Sequence, residues 1–277
     1  MKPWILLDVS YLCHRAYYTT GHLSYGDVST GVLYGFFQTM VDLADRFLST
    51  RFVFCFDQKP YKRNQLYAEY KGDRKPPKTE AERDGLGKMH QQIAMLRDDY
   101  LGEIGYRNVF CKEGFEADDL MASAVLSLSK PDRGKVLMVT ADKDIYQMLA
   151  PNVAVWNPHR QTLLTYKGFR RMYGVEPSAW PIVQALVGGH DNIRGVKGIG
   201  EKTALKFVQN MDKGPAMLNV GVYRNIDPMH VEDNLALIRL PFPGTPTYKP
   251  RDDEVDPHAW RRVMKELGIG TLKSPPV

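Results

Sequence analysis

The sequence predicts an α/β domain built on a parallel sheet, followed by a smaller helical region. Three observations carry this. Residues 5–7 (Ile-Leu-Leu), 52–56 (Phe-Val-Phe-Cys-Phe) and 136–139 (Val-Leu-Met-Val) are short, bounded apolar runs, the pattern of strands buried on both faces. Helix-like stretches separate them, and strand alternating with helix implies parallel pairing through right-handed crossovers. Beyond about residue 165 the strand signal fades into short helical pieces joined by Gly-rich turns.

Between the first two runs, residues 31–48 carry Leu33, Phe36, Phe37, Met40, Val41, Leu43, Ala44 and Phe47 at helical spacing. Residues 116–128 and 144–149 read as two further helices. Five prolines from Pro241 to Pro257 mark an irregular linker, and Trp260, Val263, Met264 and Leu267 mark a last short helix. The chain therefore divides into a sheet domain over 1–165, a helical module over 166–240 and a tail over 241–277 whose helix packs back on the sheet domain.

At 277 residues, 43% hydrophobic and 25% charged, the composition is that of an ordinary soluble globular protein. No stretch reaches the roughly 18 apolar residues of a membrane span, and the opening apolar run is too short for a signal peptide. Cys13, Cys55 and Cys111 are odd in number and far apart in apolar contexts, so free thiols in a reducing cytoplasm are expected. The net charge of +5 is unevenly spread: seven Lys and Arg fall within residues 59–78, interleaved with Tyr61, Tyr67 and Tyr70. Basic residues among aromatics suit phosphate contact and base stacking on a single strand, although a solvated basic loop has the same composition.

Each apolar run leads into an acid. Asp8 and Asp57 follow directly, Asp142 follows shortly after, and Asp144 comes next. Ligands of open α/β sheets sit at the carboxyl ends of the strands, so these acids should share one rim. Glu116, Asp118 and Asp119 open the following helix, where a single acid would be explained by the helix dipole. Seven carboxylates on one rim repel one another unless cations neutralise them, and an all-oxygen set favours magnesium or manganese over zinc. Beside a basic segment, that pattern points to phosphodiester hydrolysis by metal-activated water.

Residues 195–204 (Gly-Val-Lys-Gly-Ile-Gly-Glu-Lys-Thr-Ala) read as a tight turn opening a helix. Glycines let backbone N–H groups approach a phosphate, and Arg194, Lys197, Lys202 and Lys206 surround the turn. Sequence-independent contact with a duplex backbone is the reading these residues favour.

Taken together, these motifs resemble the 5′-nuclease (flap endonuclease) superfamily, in its phage and bacterial polymerase branch. The resemblance rests on Asp8 with Arg15, Asp57, Gly114-Phe115-Glu116-Ala117-Asp118-Asp119, Thr140-Ala141-Asp142-Lys143-Asp144, and residues 191–200. It implies a PIN-like nuclease domain with two divalent metals, then a helix–three-turn–helix duplex-binding module. By resemblance, Asp8, Asp57, Glu116, Asp118 and Asp119 serve the first metal, and Asp142, Asp144 and Asp191 the second. A helical arch at about 59–83 would carry Arg63, Tyr67, Tyr70, Lys71 and Arg74 along the 5′ single strand, with Lys71 and Arg74 on the scissile phosphate. Arg194, Lys197, Gly198, Gly200 and Lys202 would meet the duplex, and the glycine hairpin would hold a potassium ion. The implied partner is DNA with a 5′ flap, nick or gap, with an RNA–DNA hybrid as a further substrate, and the implied state is a monomer.

One position departs from the family pattern. An Asp commonly precedes the position of Asp191 by three residues, and here Gly188 stands there, unless the segment is one residue shorter. Either way the second metal site is expected to be weakened, with His190 a candidate replacement ligand. A PIN-type ribonuclease and a non-catalytic junction-binding relative are the alternatives. A phosphatase is disfavoured, because Ser10 stands where a paired acid is expected.

Overall fold

The computed structural model describes residues 2–73, 75–130, 134–188, 191–211 and 221–276. The chain opens with strand β1 (Trp4–Asp8) and helix α1 (Val9–Thr20). A small hairpin of β2 (Ser24–Tyr25) and β3 (Val28–Ser29) then leads to α2 (Gly31–Phe47) and β4 (Arg51–Phe56). After α3 (Tyr61–Leu66), a long helical stretch comprises α4 (Glu80–Met95), a π-helical turn and α5 (Leu101–Ile104). Next come β5 (Val109–Cys111), α6 (Ala117–Leu128), β6 (Val136–Val139), a 3-10 turn over Asp144–Met148, β7 (Val153–Asn157) and β8 (Thr162–Thr165). The remaining helices are α7 (Tyr166–Tyr173), α8 (Trp180–Val187), α9 (Glu201–Gln209), α10 (Pro228–Ile238) and α11 (Pro257–Glu266).

The sheet runs β5-β4-β1-β6-β7-β8, parallel throughout except for the β7–β8 pair. The three runs read as strands are its centre. Their continuous apolarity follows from burial on both faces. Ile5, Leu7, Phe52, Phe54 and Val139 join α1, α2, α4 and α11 in one core, while Leu6, Val53, Cys55 and Met138 join α6 and α8 in the other. Chain order steps from β1 to β4 and β5, then returns across β1 to β6. The switch point, where sheets of this kind open a crevice, therefore lies at the carboxyl end of β1.

Several elements differ from the sequence reading. The stretch read as a helix over 144–149 forms a 3-10 turn over Asp144–Met148 rather than an α-helix. Strands β5, β7 and β8 were not anticipated, nor was α4, which a Thr79–Glu82 capping box starts. The last strand ends at Thr165, where the strand signal fades. Among the described residues no helix is long and apolar enough to cross a membrane.

Candidate active site

Asp8 ends β1 at the switch point. Its Oδ1 caps α1 by accepting from the Tyr11 N–H at 3.0 Å, and its Oδ2 accepts from the Thr140 hydroxyl at 3.0 Å. Burial, and then the charge of Asp57, push its pKa up to about 8. Asp57 leaves β4 and accepts from the Ala117 N–H at 2.7 Å, tying the rim to the start of α6. Beyond β6, exposed Asp142 accepts from the Asp144 N–H at 2.8 Å. Asp144 is bonded to the Gln184 amide; burial and Asp142 raise its pKa to about 7. Asp191 approaches from the helical region and accepts from the Tyr70 hydroxyl at 3.2 Å. These five acids and Lys71 line one cavity of about 500 Å³, with Ser10, His14 and Thr140 also in its wall.

The acids at the start of α6 are arranged differently. Asp119 is fully buried and forms a two-point ion pair with Arg63, at 2.5 and 2.8 Å. It also accepts from the backbone N–H groups of Glu116 and Phe242, at 3.2 and 2.8 Å. Both oxygens of that carboxylate therefore already accept hydrogen bonds within the protein. Glu116 accepts from Arg63 at 3.3 Å, from the Tyr70 hydroxyl at 2.8 Å and from the Lys71 amine. Asp118 lies beside the pair half-buried; burial, then Asp119 and Glu116, raise its pKa.

Among the described residues of 59–78, helical structure covers only α3, and Arg63, Tyr70 and Lys71 tie this segment to the rest of the molecule. Arg63 is 1% exposed: its Nε donates to the Leu237 carbonyl at 2.9 Å and its guanidinium lies 4.8 Å over the Phe242 ring. Tyr70 is 6% exposed and clusters with Ala185, Ile193, Leu235, Leu237 and Ile238. Neither side chain is open to a nucleic acid, because each closes the join between this segment, α6 and the C-terminal helices. Lys71 does reach the rim. It holds a left-handed backbone, φ 58°, its N–H donates to the Asp191 carbonyl at 3.0 Å, and its amine pairs with Glu116 and, at 3.6 Å, with Asp191. Burial disfavours the ammonium, but Glu116 and Asp191 outweigh it and raise the Lys71 pKa, so the charge persists at neutral pH. Arg74 and His190 lie outside the described residues.

The glycine hairpin joins α8 to α9. Ile193, Val196 and Ile199 point inward as a buried row, which leaves Arg194, Lys197, Gly198 and Gly200 exposed between them. Gly198 needs its φ of +83°, while a side chain at Gly200 would meet nothing within 4 Å, so the α9 N-terminus is open to close approach. Lys202 is exposed on the first turn of α9. Arg194 turns away from this group and pairs with Glu69 at 3.7 Å.

At Gly188 the local backbone itself requires glycine. Its φ is +78°, and a β-carbon there would collide with the Gly195 backbone and stand 2.8 Å from the Ile193 carbonyl. The two glycines let the ends of the turn cross, so no acid could have occupied this position in the present backbone.

Among the described residues, no three His, Cys, Asp or Glu side chains stand grouped to hold a metal ion. The rim acids ring a cavity instead. Magnesium commonly takes one or two carboxylates and keeps water and substrate phosphate for the rest of its shell, so donor chemistry and cavity size fit hydrated divalent ions. Sequence reasoning missed Thr140 and Gln184, which hold Asp8 and Asp144. A hydroxyl at the end of an apolar run offered a faint signal for the first, and the second had none.

A parallel sheet whose carboxyl rim gathers five carboxylates and a lysine amine defines an α/β nuclease. Residues 3–174 match the model of the 5′-3′ exonuclease, N-terminal resolvase-like domain, and the chain belongs to that family. It is 30% identical over 231 residues to a 5′-3′ exonuclease of Buchnera aphidicola, covering 82% of this chain and 75% of that one. To DNA polymerase I of Mycobacterium leprae it is 34% identical over 219 residues, covering 75% of this chain and 23% of the polymerase. The chain thus spans between about a quarter and a third of the polymerases it first matches. The bacteriophage T5 flap endonuclease, solved as a complex with DNA and metal ions, has the same fold. Its TM-score is 0.69 at 18% identity, over 86% of this chain and 89% of that one.

Proposed function

We propose that the chain is a structure-specific 5′ nuclease, hydrolysing DNA phosphodiesters where a 5′ single strand meets duplex, in exonuclease and flap-endonuclease modes. The observation that carries this reading is the rim of Asp8, Asp57, Asp142, Asp144 and Asp191 around one cavity with the Lys71 amine among them. Magnesium or manganese, when bound there, would activate water and neutralise the substrate phosphate. Asp8 and Asp57, with Glu116 and Asp118 behind them, suit one ion; Asp142, Asp144 and Asp191 suit a second. Thr140 and Tyr11 hold the Asp8 carboxylate in orientation, and Gln184 does the same for Asp144. Lys71, charged and held at the cavity wall, sets a cation against the phosphate oxygens as negative charge develops. Arg74 would be its companion.

On the duplex side, Lys197, Lys202 and the open backbone at Gly198 and Gly200 would follow a phosphate strand without reading bases. That is the role proposed for the helical module, with a potassium ion at the hairpin carbonyls. Flapped, nicked and gapped duplexes are the substrates expected, with a hybrid 5′ arm tolerated. Work as a monomer in a reducing cytoplasm belongs to the same proposal. A labelled 5′-flap duplex, a hairpin RNA and a phosphomonoester, each with magnesium, manganese or chelator, test the proposal. Metal-dependent cleavage near the flap junction, lost in Asp142→Asn, is the expected result. Turnover of the monoester alone would overturn it.

A further inference from the structure

A second cleft, of about 640 Å³, opens between the end of α3, the turn at 191–194 and α10. Leu66, Ala236 and Leu237 give it an apolar lining, and Leu66 is 62% exposed there. Tyr67 forms one wall, its hydroxyl held at 3.2 Å on the Asn192 carbonyl. Arg194 also lines it, from a clamped backbone. Its carbonyl is bonded by the His230 ring at 2.8 Å and the Asn234 amide at 2.9 Å, while its side chain is 78% exposed. The carboxylates of Glu69 and Asp233 complete the lining.

We propose that this cleft is a subsite for one unstacked base of the single-stranded arm, an inference that rests on the nuclease reading above. Apolar walls with an aromatic ring and a guanidinium suit the face of a base, since stacking on such groups tolerates any sequence. The volume falls in the range of pockets that enclose a small ligand. Glu69 and Asp233 supply acceptors for exocyclic amino groups, and the exposed Arg194 charge complements the attached phosphate. Position is the second argument. Lys71 lines the acid cavity and Tyr67 lines the cleft, within one short turn of chain, so a strand with a phosphate beside Lys71 next passes Tyr67. Arg194, grouped by sequence with the duplex contacts, would then belong to the single-strand path.

The test uses the full chain in chelator, bound but not cutting, with 2-aminopurine placed at successive positions of the 5′ arm. One position should change its emission at least about two-fold at saturation, the sign of a base leaving its stack for an aromatic wall. Ala236→Trp, a substitution at an exposed position, fills the cleft. It should abolish that signal and weaken flap binding by about ten-fold, and Tyr67→Ala should weaken flap binding similarly. Affinity for the same duplex without an arm should stay as it was. Tight flap binding with no position-dependent emission, or a signal that survives Ala236→Trp, overturns the subsite while leaving the nuclease reading intact. Parent protein that binds the flap no better than the duplex undercuts the nuclease reading itself.

Discussion

Two sets of acids meet on this rim and solve the same electrostatic problem in opposite ways. At the strand ends, Asp8 and Asp144 are held by neutral donors, and their pKa values rise to about 8 and 7. At the start of α6, Asp119 and Glu116 are answered within the protein by Arg63, with Lys71 adding a second cation to Glu116. On the proposed function, the strand-end acids are those left to an outside cation, while Arg63 fixes Asp119 and Glu116 at the start of α6.

The comparison breaks most visibly in activity. Asp8→Asn and Asp142→Asn should each lower the single-turnover cleavage rate by roughly 10²–10³-fold or more, because each removes a carboxylate charge proposed to hold a divalent cation. Asp8→Asn should at the same time raise the thermal midpoint in chelator near neutral pH, since it removes a carboxyl that ionises in the unfolded chain and stays protonated in the folded rim. A variant that loses both activity and stability would put Asp8 with the architectural set.

Arg63→Ala attacks the other set. Removing one partner of a buried ion pair strands its carboxylate, at a cost of about 3–5 kcal/mol. The loss should appear in denaturant unfolding as a lower midpoint, with lost activity following from the displaced Lys71. An Arg63→Ala protein of unchanged stability but weakened DNA binding would return Arg63 to the substrate contacts.

That residue shows where the sequence stops being legible. β1, β4 and β6 could be read because strands buried on both faces are continuously apolar, and the acids because each such run terminates in one. β5 has only three residues, and β8 is half of an edge pair with exposed side chains, so neither leaves a periodic signal. Arg63 sits in a run of cations that looks solvated. Its burial is decided by Asp119, the Leu237 carbonyl and the Phe242 ring, all distant in the chain. The need for glycine at position 188 was invisible for a related reason, since the collision that demands it comes from the backbone at Gly195 and not from any neighbour in sequence.

A smaller effect follows from pH. Asp8 and Asp144 titrate higher in the folded protein than the ordinary carboxylate value of 3.8. Between about pH 4 and pH 8 the folded state therefore holds protons that the unfolded chain has released, and stability falls as pH rises through that window. In chelator the thermal midpoint should decline from pH 5 to pH 8, a loss of order a few kcal/mol at most, and magnesium or manganese should restore it. A midpoint that is flat in chelator and indifferent to metal would mean that the strand-end acids are neutralised internally as well.

The smallest effect expected is on the duplex side, and it is quantitative rather than all-or-none. Lys197 and Lys202 stand exposed beside a backbone opened by Gly198 and Gly200, and among the described residues neither has a carboxylate partner like the one Arg194 finds in Glu69. If each meets one phosphate, each releases about one counterion on binding, and the logarithm of affinity should fall with the logarithm of salt by about 0.9 less per lysine removed. Lys197→Ala and Lys202→Ala should thus weaken duplex binding only a few-fold near physiological salt, equally on unrelated sequences, each flattening the slope by about one. Arg194→Ala should behave otherwise, losing affinity chiefly for substrates with a single-stranded arm. Should all three give the same slope change on plain duplex, Arg194 is a third duplex contact and the division between the two faces of the hairpin fails.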